Sequence, residues 1–85
     1  MIGMLRGHVE SVDAASAIIE VGGVGYEVRM PSADLASMHA GQEIKVYTSL
    51  NVSQDAITLF GFGTLASKRM FLHLQKVSGL SLIHI

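Results

Sequence analysis

Two adjacent glycines between alternating apolar segments constrain this chain more than any other feature. In Ile18-Ile19-Glu20-Val21-Gly22-Gly23-Val24-Gly25-Tyr26-Glu27-Val28-Arg29-Met30-Pro31, the residues Val24, Tyr26, Val28 and Met30 fall on one face of an extended chain. Gly25, Glu27 and Arg29 fall on the other, which is the period of two that a half-buried strand requires. Gly22 and Gly23 can take the positive φ angles of a tight turn between twisted strands. Pro31 has no amide hydrogen to give a ladder and marks the end of the second arm. The segment therefore reads as a β-hairpin. A phosphate-cradling loop would need Gly-x-Gly-x-x-Gly opening a helix, and here a strand follows. Gly22, Gly23 and Gly25 are accordingly assigned a structural role.

The same criteria predict five strands, a short helix between the third and fourth, and a longer helix at the end. The first strand spans about residues 2–12, with Gly3, Leu5, Gly7 and Val9 on one face; two glycines there imply strong bending or a bulge. Asp13-Ala14-Ala15-Ser16 turns the chain into residues 17–21, the first arm of the hairpin. Ser32 is placed to cap a short helix running to Met38, with Leu35 and Met38 facing inward and Gly41 ending the excursion. The fourth strand alternates Ile44, Val46, Thr48 and Leu50 against Glu43, Lys45, Tyr47 and Ser49. A polar loop over residues 51–55, which can form around an extended hairpin tip, leads to a fifth strand over 56–60, with Ile57 and Leu59 on one face. Gly61-Phe62-Gly63 breaks the pattern, and Thr64 is placed to cap a helix over 65–78. On that helix Met70, Phe71, Leu74 and Val77 share an apolar face that must pack on something, while Lys68, Gln75 and Lys76 mostly keep to the other. This order fits a mainly β, five-stranded OB-fold, a Greek-key barrel with a short helix between strands three and four, followed by a C-terminal α-helix. An SH3-like barrel or another five-stranded roll would share the pattern. The only plausible domain boundary is at residues 61–63, giving a barrel over 1–62 and a second unit over 63–85.

With 85 residues the chain is near the size at which one hydrophobic core just suffices. It contains no cysteine, which excludes disulfides and thiolate zinc clusters and fits a reducing, cytoplasmic location. No apolar run approaches the roughly 20 residues of a membrane span, and the first residues are too broken for a signal peptide. All seven acids (Glu10, Asp13, Glu20, Glu27, Asp34, Glu43, Asp55) precede residue 62, with only Arg6, Arg29 and Lys45 to offset them, a net −4. Lys68, Arg69 and Lys76 follow, a net +3. A −4 barrel is poorly suited to grip DNA phosphates by itself.

Motifs for chemistry are weak. His8-Val9-Glu10 has the His-x-Glu of zinc deaminases without the cysteines they need. His8, His39, His73 and His84 lie on separate elements without metal-ligand spacing, and no Gly-x-Ser-x-Gly elbow occurs. Met4, Met30, Met38 and Met70 read as core packing. No catalytic residue, metal or cofactor is expected.

Several blocks together carry a family resemblance: Met1-Ile2-Gly3 with Leu5-Arg6-Gly7, the stretch from Ile19 through Gly22-Gly23 to Val28, Leu59-Phe60-Gly61-Phe62, and Phe71-Leu72 with Val77-Ser78-Gly79. From residue 1 to about residue 80 the chain resembles the N-terminal part of the RuvA family, the Holliday junction branch-migration subunits of bacteria. The resemblance implies an OB-fold domain that assembles as a homotetramer on four-way junction DNA, followed by a helix-hairpin-helix domain that grips DNA. It further implies a RuvB-like ATPase partner contacted through a third domain, and a RuvC-like resolvase acting in the same complex. None of these steps is chemistry performed by this chain. The alternative, from a different class, is a small barrel that serves only as a protein-interaction or assembly module.

Within this resemblance the loop between strands four and five corresponds to an acidic pin at the junction centre, and the matching positions are Gln54 and Asp55. The family often has two adjacent acids there; this chain has one, preceded by an amide, and Ser53 where arginine is common. Val77, Ser78 and Gly79 begin the DNA-binding hairpin, whose exposed amides would bind phosphate. Ser81 replaces its second glycine, and Leu82-Ile83-His84-Ile85 follow. Residues 81–85 thus read as a foreign or truncated end.

Overall fold

The computed structural model describes residues 1–78, with side chains as far as Lys76. Its elements are β1 (Met4–Val12), β2 (Ser16–Val21), β3 (Val24–Arg29), α1 (Ser32–Ala36), β4 (Glu43–Val52), β5 (Ile57–Phe62) and α2 (Leu65–Ser78). The strands form a closed barrel in the order β1-β2-β3-β5-β4, with β4 returning to β1. Every pairing is antiparallel except β3 with β5. This is the OB-fold arrangement, with its Greek-key connection passing through α1.

The hairpin closes as its glycines predict. Val21 pairs with Val24, and the two loop residues Gly22 and Gly23 have φ of 59° and 88°, the doubly positive turn that matches strand twist. The Glu20 carboxylate accepts a hydrogen bond from the Gly23 amide at 2.8 Å. Val24, at the tip, is exposed although its parity is inward.

β1 begins at Met4, so of the two glycines expected on its inner face Gly3 lies before the strand and only Gly7 is in it. A Cβ at Gly7 would overlap the Glu20 carbonyl oxygen and lie 2.8 Å from Val21 Cγ2, so β1 and β2 approach more closely than side chains allow. The register then shifts between Val9 and Ser11, a bulge. Leu5, Val9, Ala17, Ile19, Val28, Val46 and Leu59 fill the barrel. Each large aliphatic among them contributes about 1.5–3 kcal/mol of burial. Among the described residues Thr48 is the buried polar one; its hydroxyl donates to the Ile2 carbonyl at 2.8 Å, which offsets the cost of burying it.

Several expectations need correction. Pro31, not Ser32, occupies the N-cap of α1, with no side-chain cap; its carbonyl accepts from the Asp34 and Leu35 amides at 3.0 and 3.1 Å. The helix stops at Ala36, although Leu35 and Met38 both plug the barrel end as expected. Gly61 and Phe62 continue β5 rather than break it. A Cβ at Gly61 would overlap Val28 Cγ1, so this glycine marks where β5 presses on β3. Ile57 lies beyond the core and is exposed. Of the methionines assigned to the core, Met30 and Met38 are buried, but Met4 and Met70 are exposed.

The largest correction concerns α2. Thr64 caps it as predicted, its hydroxyl oxygen accepting from the Ser67 amide at 3.1 Å. Phe71 turns to the barrel as expected, but the half-buried residues beside it are Lys68 and Gln75, assigned to the opposite face, whereas Met70 and Leu74 of the expected apolar face are exposed and the side chain of Val77 lies outside the described residues. The Phe71 ring lies 5.1 Å from Phe60 and 5.0 Å from Phe62 on the outer face of β5, and Lys68 Nζ donates to the Gly3 carbonyl at 3.3 Å. A lone helix of this length is marginal in water. Phe71→Ala is therefore expected to cost about 1–3 kcal/mol at this contact and to melt α2 while the barrel persists. Hydrogen exchange would show protection lost over residues 65–76 alone; unchanged protection there would assign the docking to other contacts.

Candidate nucleic-acid interface

The β4–β5 hairpin is extended, and β4 runs past Leu50 to Val52. Ladder pairing continues through Asn51 with Thr58 to Val52 with Ile57, leaving only residues 53–56 for the turn. The Ser53 amide donates to the Ala56 carbonyl at 2.8 Å. The Ser53 hydroxyl donates to the same carbonyl at 3.1 Å and accepts from the Ala56 amide at 3.1 Å. Ser53 is thus the clamp of the turn, a role composition alone did not reveal. A serine that satisfies its own turn is a recurrent local device.

This clamp puts Gln54 and Asp55 on the two corners of the turn. Both are exposed, and neither has a side-chain hydrogen bond or ion pair among the described residues. Asp55 is the one charged residue in the stretch 51–58. The hairpin therefore ends in an uncompensated negative charge.

Positive charge collects instead on α2, which carries Lys68, Arg69 and Lys76 with no acid in its length. Lys68 is tied back to the barrel. Arg69, His73 and Lys76 are exposed at spacings that place them on one side of the helix. Val77 and Ser78 close the helix, and Gly79 and the expected hairpin beyond it lie outside the described residues, as do residues 81–85.

Other polar side chains link elements of the scaffold. Asp34 Oδ2 accepts from the Gly63 amide at 3.2 Å, joining α1 to the end of β5. His8 sits between Glu20 and Glu43 on neighbouring strands, at 3.7 and 4.0 Å. Among the described residues no group of three or more His, Cys, Asp or Glu could hold a metal ion, and no helix is long and apolar enough to cross a membrane.

The fold and these surfaces define an OB-fold barrel with an anionic hairpin tip and a cationic helical extension. Residues 1–61 match the model of the RuvA N terminal domain family. The Holliday junction branch migration complex subunit RuvA of Bifidobacterium adolescentis is 96% identical over 80 residues, 94% of this chain and 39% of that protein. The corresponding subunit of Bifidobacterium animalis subsp. lactis is 68% identical over 79 residues, 93% of this chain and 38% of that protein. That of Corynebacterium diphtheriae is 48% identical over 80 residues, 94% and 39% of the two chains. The chain belongs to the RuvA N-terminal domain family. It spans about two fifths of the length of the curated relatives it matches.

Proposed function

We propose that this chain is the barrel portion of a non-catalytic subunit that binds Holliday junctions for branch migration in DNA recombination and repair. The observation that carries this is the β4–β5 tip, where Gln54 and Asp55 stand exposed with a single uncompensated negative charge. At the centre of a four-way junction such a charge repels the converging phosphates and favours open arms, since like charges a few ångströms apart repel by about 1 kcal/mol even in bulk water. The names of the relatives support the same role. Barrels over residues 1–62 assemble as a homotetramer around the junction, and residues 63–85 begin the unit that grips DNA, with Val77, Ser78 and Gly79 opening its phosphate-binding hairpin. Strand pumping belongs to a RuvB-like ATPase and cleavage to a RuvC-like resolvase, recruited by the complex.

The −4 of the barrel and the short helical extension set the expected affinities. These 85 residues alone should bind four-way junctions weakly or not at all at moderate salt. A chimaera in which they replace the matching stretch of the B. adolescentis relative should bind junctions at least about tenfold more tightly than duplex of equal length. Gel-shift titration measures both. Nanomolar, junction-selective binding by the 85 residues alone would show that the grip lies in the barrel; absence of junction preference in the chimaera would remove the junction role.

A further inference from the structure

Val52 and Ile57 form an apolar pair for which the barrel has no use. On β4 the inward-facing series Val46, Thr48, Leu50 continues in phase to Val52, and on β5 the series Leu59, Ile57 continues to the same point. Val46 and Leu59 are buried, whereas Val52 is 69% and Ile57 73% exposed. The two are paired directly across the ladder. The core-facing stripe therefore runs past the rim of the barrel and ends as a bare flank immediately beneath Gln54 and Asp55.

We infer that this flank is a wedge that covers the exposed faces of branch-point base pairs when the junction is held open. The inference rests on the junction-binding role proposed above and names what the hairpin touches there. Charge selects the occupant. Residues 51–58 hold one charge, a carboxylate, and no cation, so the flank is unsuited to phosphate, which proteins bind mainly through Lys and Arg. Base faces are uncharged and largely apolar, and aliphatic side chains inserted at base steps are an established means of holding stacks apart. A second copy of the hairpin is disfavoured as occupant, because flank-to-flank packing would bring two Asp55 carboxylates together. Tip and flank thus divide the work: Asp55 repels backbone, while Val52 and Ile57 replace the stacking neighbour that each branch-point pair loses.

The test uses the chimaera bound to an immobile four-way junction carrying 2-aminopurine at the branch point, whose fluorescence rises when base stacking is lost. The parent chimaera is expected to raise the signal. Val52→Thr with Ile57→Thr keeps β-branched residues at exposed sites, so the fold should be retained, while the rise in signal should fall by about half or more with junction affinity changed less than about threefold. Ile57→Leu, which keeps the flank apolar, should preserve the signal. An undiminished rise in the bound double-threonine variant would overturn the wedge and leave junction binding intact. Loss of self-association by that variant without DNA, with the signal unchanged, would assign the flank to a second copy. A parent chimaera with no preference for junctions over duplex would overturn the underlying role and the wedge with it.

Discussion

Gly7→Ala is expected to destabilise the barrel by about 3 kcal/mol or more, a large fraction of what holds a domain this small together. The added methyl meets the Glu20 carbonyl oxygen, which is backbone and cannot rotate away. Relief requires β1 and β2 to separate beside the Val9–Ser11 bulge, loosening Leu5, Val9 and Ile19 in the core. Gly22→Ala provides the comparison. Nothing lies within 4 Å of a Cβ at Gly22, but its φ is +59°, so the cost there is only the left-handed backbone penalty of about 1 kcal/mol. Urea denaturation followed by circular dichroism should show a much lower midpoint for Gly7→Ala than for Gly22→Ala. Equal midpoints would mean that β1 and β2 yield at their crossing without loss.

The second large effect is functional. In the chimaera, Asp55→Lys should tighten binding to a static four-way junction by about thirtyfold and slow migration of a mobile one by a similar factor. Reversal changes the tip by two unit charges beside phosphates, each worth about 1 kcal/mol at contact distance in water, and 1.36 kcal/mol corresponds to tenfold. The exposed turn tolerates the change, because Ser53 and Ala56 rather than Asp55 hold it. The difference should shrink as salt rises and the Debye length falls below about 10 Å. Asp55→Asn should fall between the two. Junction affinity and migration rate both indifferent to Asp55→Lys would favour a barrel that serves only for assembly.

Much of the fold was legible because its signals are local. The Gly22-Gly23 turn, the alternation from Ile44 to Leu50 and the Thr64 cap each depend on a few neighbouring residues, and each appears in the structure. Errors arose where a distant residue decides the outcome. Gly61 resembled a breaker because glycine usually is one, yet it stays in β5 to let Val28 approach. Ile57 and Val24 have the inward parity of buried residues, but parity does not say where the barrel ends. On α2, helical periodicity grouped Phe71 with Met70 and Leu74 and put Lys68 and Gln75 on the other side. Phe60 and Phe62 on β5 do draw Phe71 in, but they rotate the helix so that Lys68 and Gln75 flank it and Met70 and Leu74 stay exposed.

The candidate site was legible in position and opaque in construction. Gln54 and Asp55 could be placed in a turn from their polarity and from the family resemblance. An extended hairpin tip was also within reach, but its construction was not, because it depends on Val52 and Ile57 continuing the ladder and on the Ser53 hydroxyl serving both as donor and as acceptor.

The two strand pairings that close the barrel are unequal. β1 meets β4 from Met4 to His8, whereas β3 meets β5 only at Val28 with Leu59 and Arg29 with Phe60, in parallel. Joining residues so far apart in sequence carries a loop-closure cost, and here few ladder bonds offset it. The β3–β5 seam is therefore the weaker of the two closures, and the Asp34–Gly63 hydrogen bond beside it acts as its clasp. In folding terms the molecule is a continuous antiparallel ribbon, β3-β2-β1-β4-β5, that curls until its ends meet. α2 is attached to one of those ends.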